Sequence, residues 1–426
     1  MREMKDSGIS WVGEMPKEWG RLKGKFVFKQ RNSRGNNICL QLLSPTQKYG
    51  VIPQDKYEKL TGMNAVKLND NTNYALLKTI HKGDYCISLR SFQGGFEYSE
   101  YEGVVSPAYQ VFYPTVTIAD GFYKYLFKEK GFIDVMNSYT MSLRDGKNIA
   151  FDDFGDTFIP VPPLTEQQKI ADFLDRECGK IDGLKADIQA QIDTLEQYKR
   201  SVITEAVTHG LNPSAPMKEC KVWYGQIPSE WKELKGKYVF KQRNDRGNNV
   251  CLQLLSPTQK YGVIPQDKYE ELTGMNAVKL NDSTNYALLK TIHKGDYCIS
   301  LRSFQGGFEY SEYEGVVSPA YQVFYPIITI ADGYYKYLFK EKGFIDVMNS
   351  YTMSLRDGKN IAFDDFGDTF IPVPPLDEQQ EIADYLDNKC AEIEQIIADK
   401  KSQIETLDGY KKSLIYEYVT GKKEVV

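Results

Sequence analysis

The sequence lacks any apolar run approaching the ~18 residues that a membrane-spanning helix needs. Its first residues show no signal-peptide pattern. The seven cysteines are scattered and none forms a Cys-x-x-Cys pair, so the sequence indicates neither a disulfide framework nor a zinc site. We therefore expect a cytoplasmic protein with no membrane partner.

Residues and motifs typical of catalysis are also scarce. The three histidines are His81, His209 and His293, and isolated histidines are more often structural than catalytic. The sequence has no Asn-Pro-Pro-Tyr or Asp-Pro-Pro-Tyr segment for amino-group methylation, no Gly-x-Gly cofactor loop, no Walker loop and no nuclease-like carboxylate–lysine pairing. It therefore predicts a chain with no active site and with no cofactor or metal ion of its own.

An excess of basic residues is missing too. The chain has 53 lysines and arginines against 58 acidic residues, a net charge of −5, which by itself disfavours a nucleic-acid partner. The charge is uneven, however: residues 24–164 carry a net +2, residues 236–376 a net −1, and the remaining chain a net −6. Since phosphate binding scales with the number of cationic contacts, neither segment is built for strong phosphate binding alone.

The sequence does contain a long internal repeat. Residues 24–164 recur as residues 236–376, a shift of 212 positions, and only eight of the 141 aligned positions differ. The eight differences are Phe26/Tyr238, Ser33/Asp245, Ile38/Val250, Lys59/Glu271, Asn71/Ser283, Thr115/Ile327, Val116/Ile328 and Phe122/Tyr334. Two such similar sequences must fold alike, so we predict two domains with nearly the same surface and the same ligand preference.

Within each copy the pattern mixes strands with short helices. In the first copy, apolar residues alternate over residues 84–90, which predicts a half-buried strand, and residues 109–113 predict another strand that Pro114 stops. The apolar spacing over residues 120–136 predicts a helix interrupted near Gly131. Prolines in the segment 158–164 predict an extended exit from the domain.

A long amphipathic helix is predicted to follow each copy. Thr165 with Gln168, and Asp377 with Gln380, have the spacing of a capping box. Beyond the first box, an apolar stripe with a mean period near 3.56 consists of Ile170, Leu174, Cys178, Ile181, Leu184, Ile188, Ile192, Leu195, Tyr198 and Val202. The second helix keeps this register, except that Lys400 replaces Ile188.

Such a stripe is too long to be buried against one small domain, so we expect the two helices to pair with each other. Periodicity does not decide their direction, but the second helix returns after a whole intervening domain, and we favour antiparallel pairing with a pseudo-two-fold axis. The predicted fold class is α+β, with two similar mixed α/β domains separated by two long antiparallel coiled-coil helices. The predicted divisions are a first domain over 1–164, a first spacer helix over 165–208, a linker and second domain over 209–376, and a second spacer helix with a tail over 377–426.

Several segments occur in both halves in the same order. The flanking segment Trp11–Trp19 returns as Trp223–Trp231, and Pro162–Ala171 returns as Pro374–Ala383. A Gly-Leu-Asn-Pro segment at Gly210–Pro213 joins the halves, Gly83-Asp84 opens a strand, and Arg144–Ile149 precedes the last strand of the first copy. In this order they resemble the specificity subunit of type I restriction–modification systems over essentially the whole chain.

The resemblance implies that each domain is a target-recognition domain reading one half of a split sequence in double-stranded DNA. It implies that the helices act as a molecular ruler and dock two modification (methyltransferase) subunits, and that restriction subunits can join for ATP-driven cleavage. S-adenosylmethionine and ATP are then expected on partner subunits, not on this chain. Typical members carry two dissimilar recognition domains, whereas these two are nearly identical, so we expect a split palindrome with half-site centres about one helical turn apart.

Polar clusters beside glycines or at predicted strand ends are our candidates for reading bases, because Arg suits guanine and Asn or Gln suits adenine. In each cluster a plain solvated turn is about as good an interpretation. The first copy offers Arg31, Arg34, Asn36, Asn37, Gln47, Lys48, Tyr49, Arg90, Ser91, Gln93, Ser142, Arg144 and Lys147. The second copy offers Arg243, Arg246, Asn248, Asn249, Gln259, Lys260, Tyr261, Arg302, Ser303, Gln305, Ser354, Arg356 and Lys359.

Two other functions compete with sequence-specific DNA recognition. A two-domain coiled-coil scaffold could bind a symmetric protein partner, which buried or scattered Arg31, Arg90 and Arg144 regions would favour. A recognition domain fused to a methyltransferase is the third possibility, and the missing cofactor and Pro-Pro-Tyr segments argue against it. Among the eight differences, Ser33/Asp245 and Lys59/Glu271 are the ones we expect to modulate one half-site.

Overall fold

The computed structural model describes residues 2–35, 40–63, 74–88, 95–139, 149–221, 225–247, 252–275, 286–299, 307–353 and 361–425. The chain forms two compact units, one made of residues 1–189 and 401–426 and the other of residues 190–400. Each unit holds one copy of the repeat and a part of each long helix. No described helix is both long and apolar enough to cross a membrane.

The first unit mixes short strands with short helices, and the predicted α+β class is confirmed. Its strands are β1 (Met4–Asp6), β2 (Glu14–Pro16), β3 (Gly20–Lys23), β4 (Phe28–Arg31), β5 (Leu43–Thr46), β6 (Gly50–Pro53), β7 (Lys78–Ile80), β8 (Tyr85–Ile87), β9 (Phe96–Tyr98), β10 (Gly103–Val105), β11 (Gln110–Pro114) and β12 (Phe158–Val161). Its helices are α1 (Gly24–Val27), α2 (Gln54–Thr61), α3 (Asp120–Leu126), α4 (Lys130–Ser138), α5 (Phe151–Asp156) and the start of α6 (Leu164–His209).

The central sheet of this unit has the order β4-β11-β8-β9 with antiparallel neighbours. The prediction that strand 84–90 is half-buried was wrong, because Tyr85, Cys86 and Ile87 are all buried. Cys86 faces a second, smaller core that contains Leu43 and Val51 of the β5–β6 hairpin. Both faces of β8 are therefore covered, and this part of the sheet has no solvent face.

Aromatic rings fill the larger core. Phe28, Phe112 and Phe154 pack with ring centroids 5.0–5.7 Å apart, mostly tilted or edge to face, the arrangement that aromatic quadrupoles favour. This core continues onto the long helices through buried residues such as Leu174 and Val419. The long helices are thus integral to the domain core.

The predicted interrupted helix is confirmed, with the break earlier than expected. α3 ends at Leu126 and α4 begins at Lys130, so Gly131 lies inside the second helix. The side chain of Glu129 accepts a hydrogen bond from the backbone N–H of Phe132 and starts α4. A cap at residue 129, and not the flexibility of glycine, therefore sets the break.

The second unit repeats this plan. Its strands are β13 (Met217–Glu219), β14 (Gln226–Pro228), β15 (Lys232–Lys235), β16 (Phe240–Arg243), β17 (Leu255–Thr258), β18 (Gly262–Pro265), β19 (Lys290–Ile292), β20 (Tyr297–Ile299), β21 (Phe308–Tyr310), β22 (Gly315–Val317), β23 (Gln322–Pro326) and β24 (Phe370–Val373). Its helices are α7 (Gln266–Thr273), α8 (Asp332–Leu338), α9 (Lys342–Met353), α10 (Phe363–Asp368) and the start of α11 (Leu376–Val419).

The long helices begin one residue before the predicted caps, and the capping boxes were wrong. Because α6 starts at Leu164, Thr165 lies within its first turn. The side chain of Gln168 donates forward to Asp172 and does not reach back toward the helix start. Instead, buried Gln167 connects the start of α6 to the domain. Its amide nitrogen donates to the carbonyl of Pro162, and its amide oxygen accepts from the N–H of Ala119.

The apolar stripe is buried only in part. In α6, Ile170, Leu174, Cys178, Ile181 and Ile192 are buried, as predicted. Leu184 and Tyr198 are 53% and 49% exposed, and in α11 Ile396 and Tyr410 are 45% and 58% exposed. Burial of the stripe is therefore not continuous along the two helices.

Candidate functional site

Arg31, a candidate base-reading residue at the end of β4, is held inside the domain. Its Nε donates to Oδ2 of Asp84 at 2.7 Å and its Nη2 donates to Oδ1 at 3.0 Å, and Asp84 is only 2% exposed. The guanidinium also lies 4.4 Å from the ring centroid of Tyr113. A bidentate pair of this kind fixes the loop that carries His81, since Asp84 also accepts from the N–H of His81. The main role of Arg31 in this structure is to position the chain.

The second copy repeats this pair and adds one charge. Arg243 contacts Asp296 at 2.7 and 3.1 Å, and its Nη1 also donates to Asp245 at 3.2 Å. Asp245 is one of the eight differences between the copies, and its counterpart Ser33 contacts the hydroxyl of Thr79 instead. The same guanidinium is thus more fully neutralised in the second copy, so the Ser33/Asp245 difference alters the electrostatics of one repeat.

Arg34 and its counterpart Arg246 are exposed but tethered. The Nη1 of Arg34 donates to the carbonyl of Leu76 at 2.6 Å, and that of Arg246 donates to the carbonyl of Leu288 at 2.6 Å. Within the described residues these two side chains make no other hydrogen bond, so their remaining guanidinium nitrogens are available for a phosphate or a base edge.

The predicted turn residues Gln47, Lys48 and Tyr49 line a cleft of about 550 Å³ in the first unit. The ammonium of Lys48 lies 5.1 Å from the ring centroid of Tyr49. Lys56 of α2 lines the same cleft and donates to the hydroxyl of Tyr101 at 3.0 Å. Sequence reasoning missed Lys56, although it lies only seven positions after Tyr49 in the sequence.

The second unit has the corresponding cleft, about 700 Å³, lined by Gln259, Lys260 and Tyr261. Lys268 donates to the hydroxyl of Tyr313 at 3.0 Å, as Lys56 does in the first unit. The structure thus brings one predicted cluster together with an unpredicted lysine twice, in the same arrangement. Lysine next to a half-buried tyrosine ring at the mouth of a cleft can contact phosphates, and the ring can contact a base face.

A buried carboxylate lies at the back of each cleft. Glu97 is 1% exposed and its Oε1 accepts from the ammonium of Lys128 at 2.6 Å. Burial raises the pKa of the Glu97 carboxyl to about 7, although the charge of Lys128 acts in the opposite direction. Burial raises the pKa of Glu309 in the second unit to about 7 in the same way. Each cleft therefore contains a group that titrates near neutral pH.

Many of the predicted site residues lie outside the described residues. In the first copy these are Asn36, Asn37, Arg90, Ser91, Gln93, Ser142, Arg144 and Lys147. In the second copy they are Asn248, Asn249, Arg302, Ser303, Gln305, Ser354, Arg356 and Lys359. The flanks of one such segment are described: the N–H of Ser88 donates to the carbonyl of Gly95 at 2.7 Å, which closes the β8–β9 pair on either side of residues 89–94. The DNA-contacting roles of these residues stay predictions.

Antiparallel pairing of the long helices is confirmed within each unit. In the first unit, Asp182 contacts Lys411 at 2.7 Å and the ring of Phe173 packs 4.4 Å from that of Tyr418, so partner numbers fall as helix numbers rise. In the second unit, Lys199 pairs with Glu394 and Lys400 donates to the side chain of Gln191, so the partner numbers fall in the same way. These pairs are partly exposed and each contributes little stability, but together they fix the register of the helices.

Among the described residues, no three His, Cys, Asp or Glu side chains are placed to share a metal ion. The candidate sites contain cations, tyrosines and two buried carboxylates. This chemistry suits binding to a phosphate backbone and to base edges.

Comparisons with known proteins agree with this picture. A family model described as the type I restriction modification DNA specificity domain matches residues 24–194 and again residues 226–406. The putative type I restriction enzyme MjaX specificity subunit of Methanocaldococcus jannaschii is 24% identical over 274 residues, which are 63% of this chain and 59% of that protein. The type I restriction enzyme EcoBI specificity subunit of Escherichia coli is 29% identical over 108 residues, 24% of this chain and 23% of that protein. The alignments thus span less than two thirds of the length of these curated relatives.

Two solved structures share the fold over nearly the whole chain. A chain from a structural study of complex assembly and conformational transition of the type I R-M system aligns with a TM-score of 0.68 at 14% identity, covering 96% of this chain and 99% of that one. The HsdS subunit from Thermoanaerobacter tengcongensis aligns with a TM-score of 0.52 at 16% identity, covering 96% and 98%.

Proposed function

Because this chain belongs to the family of type I restriction modification DNA specificity proteins, we propose that it is the DNA-recognition subunit of such a complex. Each repeat would read one half of a split target in double-stranded DNA. The long helices would fix the distance between the half-sites and dock two methyltransferase subunits, which would supply S-adenosylmethionine and the chemistry. Restriction subunits that use ATP would join the same complex to cleave unmodified DNA.

The observation that carries this proposal is the duplication. Two recognition repeats that differ at eight of 141 positions present nearly the same residues to DNA, and each is followed by a helix that pairs antiparallel with the other. The two corresponding clefts, each with lysine side chains next to tyrosine rings, support DNA as the ligand. Since the two-fold symmetry of a protein is mirrored in its target, the target would be an inverted repeat with a gap.

Methylated adenines in the genome of the source cell test the proposal. We expect one modified motif made of two inverted half-sites a few base pairs long, with centres about one helical turn apart, and we expect it to vanish when the coding sequence is disrupted. Unrelated half-sequences would contradict the palindrome and leave the specificity role intact. An unchanged methylation pattern after disruption would contradict the specificity role.

One observation favours a second function, a scaffold for a symmetric protein partner. Arg31 and Arg243 are engaged in internal ion pairs, which weakens the case that they read bases. The scaffold predicts no loss of DNA methylation on disruption, so the same experiment separates the two functions.

A further inference from the structure

The start of the first repeat contains a filled arginine pocket. Arg2 donates through both terminal nitrogens to the carboxylate of Glu166 on α6, with Nη2 2.7 Å from Oε2, and through Nε and Nη2 to Glu18 at 3.3 Å. The guanidinium lies 5.8 Å from the ring centroid of Trp19, whose indole N–H donates to Glu166 at 2.9 Å. Two carboxylates and an indole thus enclose one guanidinium.

The strand registers identify the position that corresponds to Arg2 in the second repeat. Met4 pairs with Pro16 in the β1–β2 hairpin, and Met217 pairs with Pro228 in the β13–β14 hairpin. The residues just before the two strands also match, because Glu3 and Pro216 accept equivalent hydrogen bonds from Lys17 and Ser229. The residue two positions before Met217 is Ala215, so the second repeat has alanine where the first has arginine.

The rest of the pocket is present in the second repeat. The indole N–H of Trp231 donates to Oε2 of Glu378 at 2.8 Å, as Trp19 does to Glu166. A cleft of about 530 Å³ lies beside this carboxylate and is lined by Ala215, Glu230 and Glu381. Within the described residues, no lysine or arginine lies within 4.0 Å of Glu378, whereas Glu166 has Arg2.

The second pocket is also more acidic than the first. Asp377 and Glu381 line it at the positions where the first repeat has Thr165 and Lys169. Burial raises the pKa of Glu378, and the neighbouring carboxylates of Glu230 and Glu381 raise it further. A partly buried carboxylate surrounded by others is stabilised by a bound cation.

We propose that this cleft, lined by Glu378, Glu230 and Glu381 and adjoining Trp231 through its bond to Glu378, is a binding site for the guanidinium group of an arginine presented by a partner protein. The first repeat shows which ligand such a pocket holds. An extended planar cation fits better than a metal ion, since no three described side chains are placed to share a metal. Among the described residues, the pocket holds an arginine of the chain itself in the first unit but not in the second, so the two units differ at this docking point.

Methylguanidinium chloride added to the full-length chain tests the site, because the four tryptophans give separate indole N–H signals by NMR. We expect the Trp231 signal to shift saturably, with a midpoint on the order of 10 mM, while the Trp19 signal stays in place because Arg2 fills its pocket. Tetramethylammonium chloride at the same concentration controls for ionic strength. A Trp231 signal that does not move, or that moves equally with the control salt, overturns the proposal.

Three variants make the result specific. Ala215→Arg should fill the pocket from within the chain and abolish the Trp231 response, and Glu378→Gln should weaken it at least about tenfold, as expected for the loss of a charge-assisted pair. Arg2→Ala should give the Trp19 signal a response of its own. A full Trp231 response in Ala215→Arg, or no new Trp19 response in Arg2→Ala, contradicts the assignment. The titration uses no DNA, so its outcome is separate from that of the proposed function.

Discussion

Single residues explain how two units with nearly identical sequences differ in their hydrogen bonds. At the Phe122/Tyr334 difference both side chains are fully buried, but the hydroxyl of Tyr334 donates to the carbonyl of Val207 at 2.8 Å. Val207 lies in the last turn of α6, where helix carbonyls lack partners within the helix. The second unit therefore has an extra hydrogen bond between its domain and the end of α6.

We expect Tyr334→Phe to lower the free energy of unfolding by about 0.5–1.5 kcal/mol, because it removes this bond and leaves a buried carbonyl without it. Urea denaturation followed by circular dichroism measures the change. Tyr238→Phe is the matched control, since Tyr238 is 59% exposed and phenylalanine stands at the corresponding position in the first copy. Equal effects of the two substitutions would show that the Tyr334 hydroxyl contributes nothing.

The buried glutamates predict a pH dependence of stability. The pKa of Glu97 and of Glu309 is raised to about 7 in the folded chain, against 4.5 for an ordinary glutamate. The folded state therefore binds these protons more tightly than the unfolded state does. This contribution to stability is fully present below pH 4.5 and is lost as the pH rises toward 7.

We expect the double variant Glu97→Gln and Glu309→Gln to lose this part of the pH dependence, up to about 3 kcal/mol per site between pH 4.5 and 7. Urea denaturation at a series of pH values, with the variant subtracted from the parent chain, isolates it from all other titrating groups. The exposed pair Glu100→Gln and Glu312→Gln serves as the control. A difference curve that is flat between pH 4.5 and 7 would contradict the raised pKa values.

At the scale of elements, the long helices are the feature that most constrains function. α6 has 46 residues and α11 has 44, about 66–69 Å each at 1.5 Å per residue. Their buried ends belong to the domain cores, whereas Leu184, Tyr198, Ile396 and Tyr410 leave apolar side chains exposed along them. Exposed apolar side chains on a helix are a suitable surface for the methyltransferase subunits of the proposed complex.

If the helices set the gap between half-sites, lengthening both should lengthen the gap. Three heptads inserted after Gln189 and three after Lys400 add about 31 Å, which is close to one turn of DNA, and so keep the half-sites on one face. We expect methylation of the same half-sites with a gap about nine or ten base pairs longer, read by methylome sequencing. Insertion into α6 alone should abolish methylation because it breaks the helix register, and an unchanged gap in the double insertion would contradict a ruler.

At the scale of the whole molecule, the acidic net charge limits what the chain does alone. The repeats carry +2 and −1, and the remaining −6 includes the long helices. Several lysines in the clefts are already paired with carboxylates, as Lys128 is with Glu97 and Lys340 with Glu309. These pairs reduce the number of cations in the clefts that can replace the counterions of DNA.

We therefore expect the isolated chain to bind its target weakly, and to bind it at least about a hundredfold more tightly once methyltransferase subunits are added. Fluorescence anisotropy with a labelled target duplex, at two salt concentrations, measures both affinities. A scrambled duplex is the control for sequence specificity. Tight, salt-insensitive binding by the isolated chain would contradict this expectation.

The sequence by itself determined the features that depend on local pattern. The duplication, the α+β class, an interrupted helix over residues 120–136 and the pairing of the two long helices follow from repeated segments and apolar spacing. The antiparallel direction was favoured because a whole domain intervenes between the two helices, and the contacts confirm it. The structure confirms these predictions because nearly identical segments fold alike, and because a long apolar stripe has few ways of being buried.

Only the tertiary structure decided the features that depend on contacts between distant residues. Arg31 meets Asp84 across 53 positions because β4 and β8 both pair with β11, so a residue that looked free for DNA is held inside the domain. Gln167, and not a capping box, closes the start of α6 because Ala119 of the domain lies beside it. The acidic pocket at Glu378 is identified only when the strand register aligns Ala215 with Arg2. The second hairpin is one residue shorter than the first, so the 212-residue shift alone would place Ser214 at the position of Arg2.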